Sequence, residues 1–120
     1  MENSKSEVSQ QLIALAIYKI WLVHGKAFKP GFKAWLEANW PIYLRFESEA
    51  LKVARSGRKH YSARTIVEFL RHQTALTEKD GQFKINDHAT PDLARLFVIR
   101  NNVHGSLFEF RGNALRGGVV

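Results

Sequence analysis

The 120-residue chain contains no cysteine. That excludes disulfides, thiolate zinc sites and thiol nucleophiles together, and a cytoplasmic setting follows as the default expectation. Proline is also scarce, with three residues, and there is a single methionine. No apolar run is long enough to cross a bilayer. The longest, Leu12 to Val23, is interrupted by Lys19, and a span needs about 20 apolar residues. The residues before it include Glu2, Glu7, Gln10 and Gln11 and those after it are His24-Gly25-Lys26, so neither flank is that of a signal peptide. No membrane partner is expected. Acidic residues are the minority charge, 11 against 18 Lys and Arg, for a net +7. That balance favours association with polyanions.

What remains is ordinary globular composition, 45% hydrophobic and 24% charged. The apolar spacing predicts a mainly α fold of about five helices with a small two-stranded sheet. A single helical domain over residues 1–111 and a mobile, glycine-containing tail over 112–120 are expected. Helix one runs from about Val8 to Val23. Leu12, Ala16, Ile20 and Val23 sit at helical spacing, and Ile13, Ile17 and Trp21 widen the stripe. A face that wide needs partners on two sides, so the helix is central or forms a homodimer seam. Gly25 reads as its left-handed stop. Pro30-Gly31 makes a turn before a short helix, Phe32 to Ala38. The rings of Phe28, Phe32, Trp35 and Trp40 read as core cover, with a base-stacking platform as the functional alternative.

Helix three starts near Pro41, lines one face with Tyr43, Phe46, Ala50, Val53 and Ala54, and ends at Gly57. Helix four follows Ser62 as N-cap and buries Ile66, Phe69 and Leu70. Its Glu68 lies four residues from both Arg64 and His72, which predicts a salt-bridged surface. Gln82 to Asn86 reads as a strand. Thr90-Pro91-Asp92 starts helix five, with Leu93, Leu96 and Phe97 inward, and Leu107 to Arg111 reads as the second strand. Helices three and four with the basic turn between them form a helix-turn-helix-like arrangement in the second half.

That turn carries the main functional signal. From Ala50 to Val67 no acidic residue occurs. Lys52, Arg55, Arg58, Lys59 and Arg64 lie in this window with His60 and Tyr61, and Arg71 follows on helix four. Cations supply point charges and forked donors for phosphate oxygens. The start of helix four adds unpaired N–H groups and the positive end of a dipole. The set reads as a phosphate-backbone contact, with His60 and Tyr61 against sugar or base. Arg95, Arg100, Arg111 and Arg116 form a secondary basic group. The bland reading of all these cations is a solvated face.

No Gly-rich phosphate loop, Gly-x-Ser-x-Gly or His-Glu-x-x-His is present, and no cofactor or metal is expected. Glu47 and Glu49 stand two apart and make a poor carboxylate pair. Asp87-His88, Asn101 and His104 resemble the motif of HNH nucleases, in which the first His activates water and the acid and last His hold a metal ion. The resemblance departs from that pattern where residues 88 to 101 read as a continuous helix and His104 follows Asn101 by only three residues. A second resemblance rests on Phe46-Glu47 with Ala50, Tyr61-Ser62-Ala63, Phe83-Lys84-Ile85-Asn86, Ala94-Arg95-Leu96-Phe97 and Leu107-Phe108-Glu109-Phe110-Arg111. These residues resemble a family of small uncharacterised bacteriophage and prophage proteins. The resemblance implies a mobile-element setting in a bacterial cell and brings no activity with it. The function expected is a small, basic, non-enzymatic nucleic-acid-binding protein, with DNA ahead of RNA. The alternative is a protein-binding inhibitor of a host defence or nucleic-acid-handling complex, anti-CRISPR-like in mode.

Overall fold

A computed structural model describes residues 2–77 and 87–109. The backbone is helical almost throughout. Among the described residues five α-helices follow in order: α1 Glu2–His24, α2 Phe32–Ala38, α3 Trp40–Arg55, α4 Ala63–Thr77 and α5 Thr90–Arg100. Single 3-10 turns lie at Gly25–Ala27, Asp87–Ala89 and Asn102–His104. Among the described residues no helix is long and apolar enough to cross a membrane. The chain divides into two compact units, Met1–Trp40 and Pro41–Val120. The predicted tail over 112–120 lies outside the described residues.

In the first unit α1 is longer than its predicted span and ends differently. Gly25 does not adopt the left-handed conformation expected of it. Its φ is not positive, and it opens the 3-10 turn. Glycine is needed there because a Cβ would lie 2.9 Å from Cδ1 of the Trp21 ring. That closeness lets Trp21 stack on Phe28 at 4.6 Å between ring centroids. The column continues from Phe28 to Phe32 and from Phe32 to Trp35. Ring faces spent on one another are core, so the core reading of these aromatics describes the observed packing. The short helix over Phe32–Ala38 forms where expected, after Gly31 at φ +91°.

The second unit is built on α3, α4 and α5. Along α3, Tyr43, Phe46 and Ala50 are fully buried. The helix ends at Arg55, and Gly57 takes φ +93°, the conformation that stops a helix. Gly57→Ala is expected to cost about 1 kcal/mol, since a Cβ is strained at that φ although no atom crowds it. A urea melt checks this. Ser62 caps α4 as predicted, its Oγ accepting the N–H of Thr65 at 3.3 Å. Of the predicted inner face of α4, Ile66 and Leu70 are buried, but Phe69 is 47% exposed. Val67 and Thr74 take its place inside, and Thr74 satisfies its hydroxyl on the Leu70 carbonyl one turn back. On α5, Leu93, Leu96 and Phe97 are all fully buried, as their spacing predicts. Thr90, which stands before Pro91 where an N-cap is expected, is instead the first helical residue, preceded by Ala89, which contributes no side-chain hydrogen bond.

The two-stranded sheet is not found. Among the described residues there is no strand, and the segment 82–86 lies outside them. Leu107 and Phe108 instead meet Tyr61. The Tyr61 N–H donates to the Leu107 carbonyl at 2.8 Å, and Tyr61 and Phe108 form an isolated parallel bridge. The ladder cannot lengthen, because Ser62 is already the cap of α4. Phe108 is buried and packs on Phe46 of α3 and edge-on against Phe97 of α5. Seven residues, 56–62, separate α3 from α4. A helix-turn-helix connects its helices with only about three to four.

Candidate nucleic-acid interface

The bridge between Tyr61 and Phe108 creates the site. It holds the end of the basic turn beside the first turns of α4 and α5, and a groove of about 710 Å³ opens where they meet. Its buried floor comprises Phe108 and Ala94, with half-buried Tyr61 and Pro91 beside them. His60, Arg64 and Glu109 stand exposed at its edge, and Ser62 and Thr90 add hydroxyls. Arg95 lines the wall, its guanidinium bonded at 2.8 Å to Asp92. Asp92 is 1% exposed. It is a buried ion-pair partner in the first turn of α5.

Of the eight residues nominated from sequence, three line this groove: His60, Tyr61 and Arg64. Arg58 adjoins it, with its guanidinium carbon 5.6 Å from the Tyr61 ring centroid. Lys59 is exposed in the same turn, and Arg55 is exposed at the end of α3. The other two are set apart by their own helices. Lys52 pairs with Glu49 at 3.0 Å and Arg71 with Glu68 at 3.1 Å. Glu68 therefore takes Arg71, not the Arg64 or His72 predicted for it. The acid-free window also gains an acid through folding, since Glu109 comes within 3.6 Å of the His60 Nδ1. Sequence reasoning missed Phe108 and Glu109, which stand 47 and 48 residues beyond Tyr61, and it ranked Arg95 as secondary. No local signal joins residues 107–109 to Tyr61.

A second polar cluster lies at the other end of α5. Glu47 accepts hydrogen bonds from the Tyr43 hydroxyl at 2.7 Å, from Arg100 Nε at 2.8 Å and Nη2 at 3.3 Å, and from Asn101 Nδ2 at 3.0 Å. Burial alone would raise the Glu47 pKa. The bonds from Arg100, Tyr43 and Asn101 and the charge of Arg100 outweigh it and hold the carboxyl below its usual range. The same contacts raise Arg100, the hydrogen bond to Glu47 first. Burial, then the Glu47 charge, push the Tyr43 phenol well above its ordinary value. This cluster ties α3 to the end of α5.

It also separates the residues that resemble an HNH motif. His88 precedes α5, while Asn101 and His104 follow it, and its 11 residues span about 16 Å. Asn101 spends its amide on Glu47 and on the Phe97 carbonyl. Among the described residues, no group of three His, Cys, Asp or Glu side chains is placed to hold a metal ion. No family model, curated protein or solved structure matches this chain.

Proposed function

We propose that the protein binds nucleic acid at this groove, through Arg58, Lys59, His60, Tyr61 and Arg64. The observation that supports the reading is the meeting of a basic turn with an aromatic-floored groove. A volume of about 710 Å³ lies within the range of small-ligand sites and suits one nucleotide. Tyr61 offers a ring for stacking a base, and Arg64 with the first-turn N–H groups of α4 offers donors to its phosphate. An accessible base implies an unpaired or terminal nucleotide, with DNA the first ligand to test. Lys52 and Arg71, neutralised within their helices, contribute little. The bacterial mobile-element setting and a cytoplasmic location accompany this reading.

Binding of labelled single- and double-stranded DNA and RNA across a salt series tests it. Changing Arg58 and Lys59 together to Ala is expected to lower the slope of log K against log salt by about 0.7–0.9 per lost contact. Lys52→Ala is expected to leave the slope nearly unchanged. No binding at low salt, or a slope indifferent to Arg58 and Lys59, overturns the reading. A partner from bacterial lysate that survives nuclease treatment would then favour the host-protein inhibitor.

A further inference from the structure

α1 is apolar on two opposite faces; among the described residues one face is packed and the other stands exposed. Ile17 is buried, and Ile13, Ile20 and Trp21 beside it are half-buried. On the other side Val8, Leu12, Leu15, Leu22 and Val23 stand 48–76% exposed, with Tyr18 at their flank. Isolated exposed leucines need no explanation, but a continuous stripe along a helix does. Val8, Leu12, Leu15, Lys19 and Leu22 follow one another at steps of four, three, four and three. Those are the steps of a coiled-coil seam, kept here over two heptads.

We infer that this face docks a second copy of the chain, helix against helix, in antiparallel orientation. Area and charge argue for that occupant. Five aliphatic side chains, each 48–76% exposed, are covered twice over in a self-complementary pair, which brings the contact towards the roughly 1,000 Å² that a specific interface needs. Lys19 is the one charged side chain in the seam. In a parallel pair it would face its own counterpart and bring two like charges together. In an antiparallel pair centred on Leu15 it falls opposite Gln11 and beside Leu12 of the second copy, and its long stem lets the ammonium reach water. Val8 then meets Leu22, Leu15 meets itself, and the two helix dipoles oppose. An interface of this size is modest, so the dimer is concentration-dependent. It needs no nucleic acid, so its test is independent of the proposed function.

The absence of native cysteine makes the test clean. Sedimentation of the full chain is expected to show a shift from 13.8 kDa to twice that mass with rising concentration. Leu15→Glu is expected to remain monomeric at concentrations at least about tenfold higher, with unchanged circular dichroism. Under mild oxidation Leu15→Cys cross-links to itself. Leu22→Cys does not, but it cross-links when mixed with Val8→Cys. Self-cross-linking of all three variants would overturn the antiparallel arrangement. A parent chain that stays monomeric throughout overturns the dimer. Slow labelling of Leu15→Cys in that monomer would show that the chain's own residues cover the face.

Discussion

Glu47→Ala is expected to destabilise the protein by about 2–3 kcal/mol, against the roughly 5–15 kcal/mol of a typical domain. Four hydrogen bonds converge on this one carboxylate, and two of them come from a single guanidinium. The Glu47 side chain is 13% exposed and that of Arg100 30%. The pair is therefore shielded enough to matter, yet wet enough to fall short of the cost of breaking a fully buried pair. The loss is also pH-dependent. The folded-state pKa of Glu47 is lowered, so the unfolded chain takes up the proton first as pH falls. The carboxylate's contribution is complete above the unfolded pKa, about 4.3, and is lost as pH falls through the folded value. Urea melts of the parent and of Glu47→Ala should differ most at neutral pH and converge in acid. A difference that stays constant down to pH 3 would show that the charge is irrelevant and only side-chain volume counts. Tyr43 acts at the opposite end of the scale. Its raised pKa means that stability held below about pH 10 is lost as pH rises above it.

The Glu47 cluster also marks what a sequence can and cannot disclose. Glu47 and Glu49 read correctly as no carboxylate pair, since one turns to Arg100 and the other to Lys52. Nothing in the spacing connects Glu47 to residues 53 and 54 positions away. Local chemistry was legible. Pro30-Gly31 and the ring spacing place α2, Gly57 ends α3, Ser62 caps α4, and the inward triplet of α5 follows from its period. Those features depend on neighbours within one or two turns. Pattern stops being informative where tertiary choice decides. α1 has two apolar faces, and periodicity cannot say which is packed. Phe69 fits the inner stripe of α4 by spacing, yet the smaller Val67 and Thr74 fill that space. Leu107 to Arg111 reads as a strand, but its described part meets only Tyr61, the residue ahead of a helix cap. The candidate site shares this division. Its cations were visible as a run without acids, while its floor comes from a segment that only folding brings near.

Phe108→Ala carries the largest expected effect on stability, about 3–5 kcal/mol. The ring is buried, lies 5.7 Å from Phe46 and meets Phe97 edge-on at 5.4 Å. It thus joins α3 to α5 at the point where Tyr61 is pinned. Removing it leaves a cavity among aromatics that cannot collapse without moving helices. In a unit of this size each kcal/mol lowers the melting temperature by about 4–8 °C, so a fall of more than about 12 °C is expected. Phe108→Leu keeps most of the bulk but loses both ring contacts, and is expected to cost about 1–2 kcal/mol, less than Phe108→Ala. The pair of variants separates packing from recognition. If Tyr61 stacks a base, Tyr61→Leu lowers affinity for single-stranded DNA by about 1–3 kcal/mol. Phe108→Leu, whose ring is buried beneath, lowers it far less. Equal losses from the two would mean that groove shape, not the tyrosine ring, holds the ligand. A Phe108→Ala protein that melts within about 3 °C of the parent would show that the ring cluster is not the centre of this unit's core.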